Sequence, residues 1–524
     1  MFRKRIANQA IISKEFLSYL SNAHDIIGRN INLVINHRGK IDLIYIGEIW
    51  EVEDYTVLKF GEKDIGNSKR LITISNRNNG FQKNEKVSLI NSKFLNYLLI
   101  RRASIDKNIF SLCYKNNDAK SNDFWNIQDF NDINMLNEES LWAFSEKSTL
   151  KKKVSKLRKM KEKIYLVGVG TSNKKELTNS MEELRELSKS LNKEVVGSSS
   201  QLRKSHDTKT LVGKGFLLDI LLEAEYLGAH KIIFNKELLP FQSKEVSKLT
   251  YMEVSDRTEL ILEIFKKNAQ SKEAHVQIEL ARLKYELPRI AGSGKNFSQI
   301  GGGISSKGPG EKKIEQRRRY LRKRINLLEK QINALSYRRK QNRSKREKNE
   351  LFSATLIGYT CAGKSTLFNK LTKSSVIEST KPFSTLNPTT RKTYISDETE
   401  ILLSDTVGFI TDLPEDLISS FRATLEEINQ SDLLIHIVDS AEENFEEKIM
   451  SVEDTLIRTK LIDHKRIIIF NKIDLINDDN LRYLREKFQQ PCVSSLKNMG
   501  IQDARSEIEK IVKSSLKNQK VVNL

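Results

Sequence analysis

The segment Gly358–Ser365 constrains the fold of this chain more than any other. It reads Gly-Tyr-Thr-Cys-Ala-Gly-Lys-Ser, follows the apolar stretch Ala354–Ile357 and leads into a segment with helical spacing. This is the GxxxxGK[ST] pattern of a phosphate loop, in which backbone N–H groups and a helix N-terminus surround phosphate oxygens. Because such a loop needs a strand before it and a helix after it, the sequence predicts an α/β domain here.

The residue types in the loop have separate chemical roles. Gly358 and Gly363 permit a tight backbone path. Lys364 supplies positive charge at the β- and γ-phosphates, and Ser365 offers a hydroxyl ligand to Mg²⁺. The predicted nucleotide contacts of this loop are Gly358, Tyr359, Thr360, Cys361, Ala362, Gly363, Lys364 and Ser365.

Asp405–Gly408 forms a second motif, Asp-x-x-Gly, at the end of the apolar stretch Ile401–Leu403. The strand delivers Asp405 towards the metal, where its carboxylate can hold a magnesium-bound water. The backbone N–H of Gly408 can meet the γ-phosphate. The predicted contacts of this motif are Asp405, Thr406, Val407 and Gly408.

Two further segments indicate which base is bound. Asp474 follows the apolar stretch Ile467–Phe470, and its carboxylate can accept two hydrogen bonds from the N1–H and N2–H₂ edge of guanine. Adenine has no such pair of donors, so the site would select guanine. We expect the second segment to face the base from the other side. The predicted contacts are Asn471, Lys472, Ile473 and Asp474, then Ser494, Ser495 and Leu496 at the end of a last strand.

The segment Phe383–Arg391 lies between the first two motifs and contains three threonines. A mobile threonine in such a position can complete the magnesium shell when GTP is bound, which makes the segment a switch. Thr385, Thr389 and Thr390 all meet this requirement, so the residues alone leave the ligand open. The predicted nucleotide contacts here are Phe383, Ser384, Thr385, Leu386 and Asn387.

Phe409 occupies the position directly after the Asp-x-x-Gly motif. Many GTPases have a glutamine there, which orients the attacking water. A phenyl ring cannot do this polar work. We therefore expect slow intrinsic hydrolysis of GTP, with the catalytic residue unknown and the site completed by a partner or by another part of the chain.

The charge balance indicates a polyanionic partner. The 524 residues include 89 Lys and Arg against 68 Asp and Glu, which gives a net charge of +21. Nucleic acid is the commonest such partner, and a membrane surface or a generally Lys-rich composition are the alternatives. Three cysteines without a CxxC pair predict neither a disulfide framework nor a zinc site. The cysteine usage favours a reducing compartment, and we expect a cytoplasmic protein. No apolar run reaches the length of a membrane span, so we expect no stable membrane insertion.

Two long helices are predicted upstream of the phosphate loop. Apolar residues from Leu262 to Leu287 mark the first helix, which we expect to end at Pro288. The second has a heptad repeat that includes Leu321 and Leu328, and a Gly- and Ser-rich segment at 291–310 separates the two. This pattern predicts an antiparallel hairpin with a flexible tip.

The second helix is heavily basic between Lys312 and Arg324. A solvated helix face is the simple interpretation. The density of charge on one element next to a glycine-rich tip favours contact with nucleic-acid phosphates.

The predicted fold class is α/β, with a P-loop GTPase domain at residues 349–518. A small α/β domain at 163–255, in which strand patterns alternate with a helical one, and the long antiparallel helical hairpin at 256–348 precede it. An N-terminal α+β extension of unknown function occupies residues 1–162, and residues 519–524 form a tail.

The order of the nucleotide motifs resembles the HflX family of translation-associated GTPases, in the Obg–HflX-like superfamily. Residues 301–311 resemble that family's glycine-rich loop before its second helix. Asp256–Leu262 and Leu283–Arg289 resemble its first helix, and Val212–Gly215 resembles a motif of its N-terminal α/β domain. The resemblance extends from about Ile164 to about Lys510.

This resemblance implies a monomeric protein that binds GTP and GDP with Mg²⁺, associates with the large (50S) ribosomal subunit and its RNA, and splits or rescues stalled ribosomes. When the family's magnesium ligands are matched position by position to this sequence, they fall on Ser365 and Thr385. A ribosome assembly GTPase and a nucleotide-regulated RNA-binding chaperone are the alternatives. A second nucleotide in the N-terminal α/β domain, the recruiting signal and the choice between bacterial cytosol and organelle remain open.

The chain departs from the family pattern at several places. Cys361 stands where the family usually has asparagine, and Lys313 replaces an expected glutamine beside the glycine-rich loop. Residues 1–162 form an N-terminal region that the shorter members of the family do not have. We expect the small C-terminal domain of many relatives to be absent.

Overall fold

The computed structural model divides into two compact units, residues 1–181 with 193–255 and residues 182–192 with 256–524. The described residues are 11–36, 39–48, 70–77, 79–82, 85–86, 96–104, 107–115, 125–137, 161–171, 173–250, 252–291, 309–347, 351–372, 382–383, 389–406, 408–409, 428–461 and 463–522.

The first unit begins with helix α1 and a six-stranded mixed sheet of order β2-β1-β3-β4-β5-β6. Strands β3 and β4 pair in parallel, and the pairs β1–β2, β1–β3, β4–β5 and β5–β6 are antiparallel. Aliphatic side chains of the sheet and of α1 form one core, to which Phe16 and Leu20 contribute. The elements are α1 (Lys14–Ile27), β1 (Ile31–Ile35), β2 (Ile41–Ile46), β3 (Arg70–Ser75), β4 (Asn96–Ser104), β5 (Lys107–Lys115) and β6 (Trp125–Phe130).

A four-stranded sheet of order β10-β9-β7-β8 follows, in which β7 pairs in parallel with both β8 and β9. This confirms the predicted small parallel sheet. Apolar strands alternate with helices because each helix covers a face of the sheet. The elements are β7 (Lys163–Gly170), α2 (Lys174–Ser190), β8 (Glu194–Leu202), α3 (Lys214–Tyr226), β9 (Lys231–Phe234), α4 (Pro240–Ser247) and β10 (Glu253–Asp256).

Among the described residues, the helical part of the second unit comprises α5 (Arg257–Asn268), α6 (Lys272–Ala291) and α7 (Pro309–Glu347). The prediction of one long first helix ending at Pro288 is therefore wrong. Ala269 is extended, and the Ser271 hydroxyl accepts a hydrogen bond from the N–H of Ala274 at 3.1 Å, which starts a new helix. Pro288 lies inside the last turn of α6, so it cannot donate the i→i−4 hydrogen bond to the Lys284 carbonyl, yet the helix continues to Ala291.

Helices α6 and α7 form the predicted antiparallel hairpin. Their ion pairs run in opposite directions along the two helices, from Glu279–Arg324 to Glu286–Arg317. The apolar seam between them is made of aliphatic side chains, and the buried ones are Leu280, Leu283, Leu321, Ile325, Leu328 and Ile332. The heptad pattern of the sequence therefore places these residues correctly.

The rest of the second unit is a five-stranded sheet of order β12-β13-β11-β14-β15, with only β12 antiparallel. Its parallel strands end at one edge, where ligands bind in open α/β sheets. The elements are β11 (Phe352–Gly358), α8 (Lys364–Thr372), β12 (Thr389–Ser396), β13 (Thr399–Asp405), β14 (Leu433–Asp439), α9 (Phe445–Arg458), β15 (Arg466–Asn471), α10 (Asp478–Phe488) and α11 (Ile501–Val522).

Candidate nucleotide-binding site

The phosphate loop joins the carboxyl end of β11 to the start of α8, as the sequence predicts. Two of its glycines are sterically required. Gly358 has φ +142°, and a Cβ there would lie 2.3 Å from the carbonyl oxygen of Ile437 on the neighbouring strand. Gly363 has φ +88°, and a Cβ there would lie 2.2 Å from the Asn471 side-chain nitrogen. Any side chain at either position would displace the loop from its neighbours.

Lys364 lies under the loop and is only 7% exposed. Its ammonium donates hydrogen bonds to the carbonyl oxygens of Gly358 at 3.1 Å and Tyr359 at 2.8 Å. Burial lowers the pKa of Lys364 to about 8, and the nearby Asp405 carboxylate partly opposes that shift. Since an ammonium has three donors, one remains for a phosphate oxygen.

Ser365 and Asp405 meet beside the loop. The Ser365 hydroxyl donates to Asp405 Oδ2 at 2.7 Å, and Asp405 is fully buried at the end of β13. The parallel pairing of β13 with β11 brings them together, since Leu356 and Asp405 are register partners. A hydroxyl beside a carboxylate is a donor set of the hard oxygen type that Mg²⁺ prefers.

The segment after β13 returns to the phosphate loop. A Cβ on Gly408 would lie 2.9 Å from the Lys364 ammonium and from the Thr360 backbone, so only glycine fits there. Phe409 donates its N–H to the Gly358 carbonyl at 3.0 Å and accepts from the Thr360 N–H at 2.9 Å. Thr406 is buried, and its hydroxyl donates to the Leu356 carbonyl.

Asn471 connects the segment predicted to contact the guanine base with the phosphate loop. Its side-chain nitrogen donates to the Ala362 carbonyl at 2.9 Å. Its side-chain oxygen accepts from both the N–H and the hydroxyl of Ser495, at 3.0 and 2.9 Å. One buried amide therefore connects the phosphate loop with the segments Asn471–Asp474 and Ser494–Leu496.

Asp474 follows in a short 3₁₀ turn, Ile473–Leu475, and only 6% of its side chain is exposed. The Lys497 ammonium lies 3.9 Å from Asp474 Oδ2. Ser494 is fully buried, whereas Leu496 is 75% exposed. The predicted last strand is reduced to a single bridge between Phe470 and Cys492, yet this bridge is enough to bring the serines to Asn471.

The switch segment is described only at its two ends. Ser384, Thr385, Leu386 and Asn387, together with Val407, lie outside the described residues. Phe383 has φ +58° and packs edge-on against Phe265, with ring centroids 4.7 Å apart. Thr390 lies on β12 and its hydroxyl is 2.9 Å from that of Ser404. Thr389 is the register partner of Asp405.

Three family models match successive parts of the chain. Residues 178–266 match the GTP-binding GTPase N-terminal family, and residues 268–346 match the GTP-binding GTPase Middle Region. Residues 353–472 match the 50S ribosome-binding GTPase family.

Curated relatives match about three fifths of the chain. A GTPase HflX from Caldanaerobacter subterraneus is 41% identical over 323 residues, which cover 62% of this chain and 75% of that protein. The chain belongs to the HflX family of GTPases. The GTPase HflX of Escherichia coli is 34% identical over 330 residues, which cover 63% of this chain and 77% of the relative. The predicted family membership and GTP-hydrolysing activity are thereby confirmed.

A crystal structure of a GTP-binding protein from the hyperthermophilic archaeon Sulfolobus solfataricus, in complex with GDP, also matches this HflX-family chain. It is 26% identical, with a TM-score of 0.36, and the match covers 68% of this chain and 99% of that one.

The geometry adds two site residues that the sequence motifs of this HflX-family protein did not reveal. Asp439, at the end of β14, contacts the Lys472 ammonium at 2.5 Å. The hydroxyl of Ser440 donates to the Asn471 carbonyl at 2.7 Å. Both follow the apolar strand Leu433–Val438 directly. Their position after a buried strand could have identified them from the sequence, because parallel strands bring the residues at their carboxyl ends to one edge of the sheet.

Two titratable groups near the phosphate loop are held in their neutral forms. Cys361, at φ +63°, has a thiol pKa raised by burial. Burial lowers the pKa of His436, on β14, to about 3, and the neighbouring Lys364 charge adds to the effect. Neither group is suited to act as a base at neutral pH.

Within the described residues, none of the helices combines the length and the apolar character that a membrane span requires.

Proposed function

We propose that this HflX-family GTPase binds the large ribosomal subunit in its GTP form and splits or rescues stalled ribosomes. The observation that carries the proposal is the match of residues 353–472 to a family described as 50S ribosome-binding GTPases. The same compact unit contains the basic hairpin.

The hairpin is suited to contact ribosomal RNA. Along α7, the buried apolar side chains face α6, and basic side chains such as Arg322 and Lys323 are exposed. Tyr320 is also exposed and offers a ring on which a base can stack. Arg317 and Arg324 are paired with glutamates of α6, so they stabilise the hairpin as well.

Magnesium would be held at the phosphate loop by Ser365, with Thr385 from the switch segment as the second protein ligand. The adjacency of Ser365 and Asp405 supports this assignment. When bound, Mg²⁺ neutralises charge that develops on the phosphates. In our proposal Lys364 supplies the second positive charge, and Asn471 and Asp474 hold the base.

Hydrolysis without a partner should be slow. Phe409 puts a buried phenyl ring where a water-orienting amide is expected, and its backbone is already paired with the phosphate loop. Neutral His436 does not offer a base in its place. We therefore propose that ribosome binding supplies the missing stimulus. We also propose a cytoplasmic monomer, with domains at residues 163–255, 256–348 and 349–518.

Cosedimentation with purified 50S subunits tests the proposal. With a non-hydrolysable GTP analogue we expect a stoichiometric fraction of the protein in the subunit pellet. With GDP we expect a fraction at least about tenfold smaller, because the two nucleotide states of a switch protein differ in their affinity for a partner by such factors. Sucrose gradients of 70S ribosomes then report splitting. Equal pelleting with both nucleotides would remove the switch function. Binding to immature subunits alone would favour a ribosome assembly GTPase.

The hairpin contact has its own test. Arg322→Gln with Lys323→Gln removes two exposed charges from α7, and Lys510→Gln with Lys513→Gln removes two from α11 as a control. We expect the first pair to weaken subunit binding and to lower the slope of log affinity against log salt by about 1.5, because each phosphate contact contributes about 0.7–0.9. Identical slopes for both variants would show that α7 is only a solvated face.

A further inference from the structure

Tyr359 in the phosphate loop lies where three parts of the second unit meet. Its carbonyl accepts from the Lys364 ammonium, and it forms a bridge with Phe409. The residue itself is 7% exposed. Any restraint on this side chain therefore acts on the loop that surrounds the phosphates.

The side chain is restrained at both its ring and its hydroxyl. The Tyr359 hydroxyl donates to Glu183 Oε1 at 2.5 Å. The Lys448 ammonium lies 4.4 Å from the centroid of the Tyr359 ring, in cation–π geometry, and pairs with Glu442. Lys448 and Glu442 belong to the nucleotide-binding part of the chain, but Glu183 is on α2, in the segment Glu182–Asn192.

Glu183 is itself held in place by an arginine. Arg257 Nη2 lies 2.9 Å from Glu183 Oε2, and the two side chains are only 8% and 19% exposed. Arg257 is the first residue of α5, whose N-cap Asp256 accepts a hydrogen bond from Arg289 of α6 at 3.3 Å. Three polar contacts, joined through the adjacent residues Asp256 and Arg257, thus connect the phosphate loop to the end of α6 next to the tip of the helical hairpin.

We propose that Glu183 is a positioning residue for the phosphate loop, which it holds through Tyr359 in the conformation that retains nucleotide. A carboxylate outside the nucleotide motifs then sets how fast GDP leaves, and Arg257 orients it. A charged acceptor makes the hydrogen bond stronger than a neutral one, and both partners are shielded from water. This inference rests on nucleotide binding by the HflX-family chain and is independent of the ribosomal proposal.

Release of a fluorescent GDP analogue from the full chain, without ribosomes, tests the inference. Tyr359→Phe removes only the hydroxyl, and Glu183→Gln keeps an acceptor but removes its charge. We expect each to speed dissociation about fivefold, the size of one hydrogen bond, with the association rate within about twofold. Glu183→Ala should exceed Glu183→Gln, because the amide can still accept from Tyr359.

The double variant decides whether the two residues act together. If they form one interaction, Tyr359→Phe with Glu183→Gln should release the analogue no faster than the stronger single variant. The exposed neighbour Glu182→Gln is the charge-matched control and should leave the rate unchanged. The melting temperature of Tyr359→Phe should fall by no more than about 5 °C, the size expected for the loss of one hydrogen bond. Multiplying effects, rates within twofold of native, or an equal effect of the control would each overturn the proposal.

Discussion

The two ends of the nucleotide site differ in whether the chain itself supplies the polar groups that each end needs. At the end proposed to hold the base, Asn471 is bonded to Ala362 and Ser495, so the chain's own contacts hold together the groups around Asp474. At the hydrolysis end, the position after Gly408 holds the buried ring of Phe409. In the proposed site, base recognition thus depends on groups that the chain itself holds in place, whereas the position directly after Gly408 has no polar side chain to orient water. We therefore expect substitutions at the two ends to affect binding and hydrolysis separately.

The largest expected effect breaks recognition alone. Asp474→Asn replaces a carboxylate that accepts two donors of guanine by an amide that accepts one. We expect GTP affinity to fall about 100-fold, equivalent to roughly 3 kcal/mol for a charged pair of hydrogen bonds, and xanthine, which has an oxygen in place of the amine, to become preferred. Titration with GTP, ATP and XTP measures this, and exposed Asp478→Asn is the control. Retained guanine selectivity would show that Asp474 does not read the base.

The intermediate effect concerns the charge at the phosphate loop. Burial lowers the pKa of Lys364 to about 8. Without nucleotide, this side chain should therefore lose its proton and its positive charge as pH rises through 8. Since phosphate binds the protonated form, GDP affinity should be constant below pH 8 and fall by about tenfold per unit above it. Calorimetry between pH 6.5 and 9.5 checks this.

Lys364→Arg is the matched control for that titration. The guanidinium stays charged at every pH in the range, so its affinity, although weaker, should not depend on pH. A native affinity that is flat up to pH 9.5 would mean that the ammonium remains charged in the free protein.

The smallest effect is expected at the hydrolysis end. If the Phe409 ring takes no part in chemistry, Phe409→Leu should change intrinsic single-turnover hydrolysis by less than about threefold. Ser365→Ala, which removes a proposed magnesium ligand, should lower it much further. A large loss in Phe409→Leu with unchanged GTP affinity would give the ring a role in hydrolysis and weaken the contrast between the two ends.

Much of the fold follows from periodicity and spacing. The phosphate loop predicts its own strand and helix because the glycines and the GK[ST] ending need that context. The heptad leucines of α7 predict the seam with α6. The break at Ala269 was missed because a capping serine at Ser271 competes with a continuous apolar pattern, and such local hydrogen bonds are weak signals in a sequence.

The nucleotide motifs could be placed from the sequence, but their partners could not. Asp439 and Ser440 could have been found by their position after a buried strand. Glu183 could not, because it lies 176 positions before Tyr359 and carries no motif. Contacts at such separation depend on how helices and sheets pack, which local residue patterns do not encode.

The sequence by itself determined that this chain binds a guanine nucleotide, since each motif carries its chemistry in consecutive residues. Only the tertiary structure decided how those motifs are connected: Asn471 reaches two other motifs, Lys364 is buried enough to have a lowered pKa, and Tyr359 is held from outside the nucleotide motifs. The physical reason is that backbone motifs act over a few residues, whereas burial and side-chain hydrogen bonds depend on groups that only folding brings together.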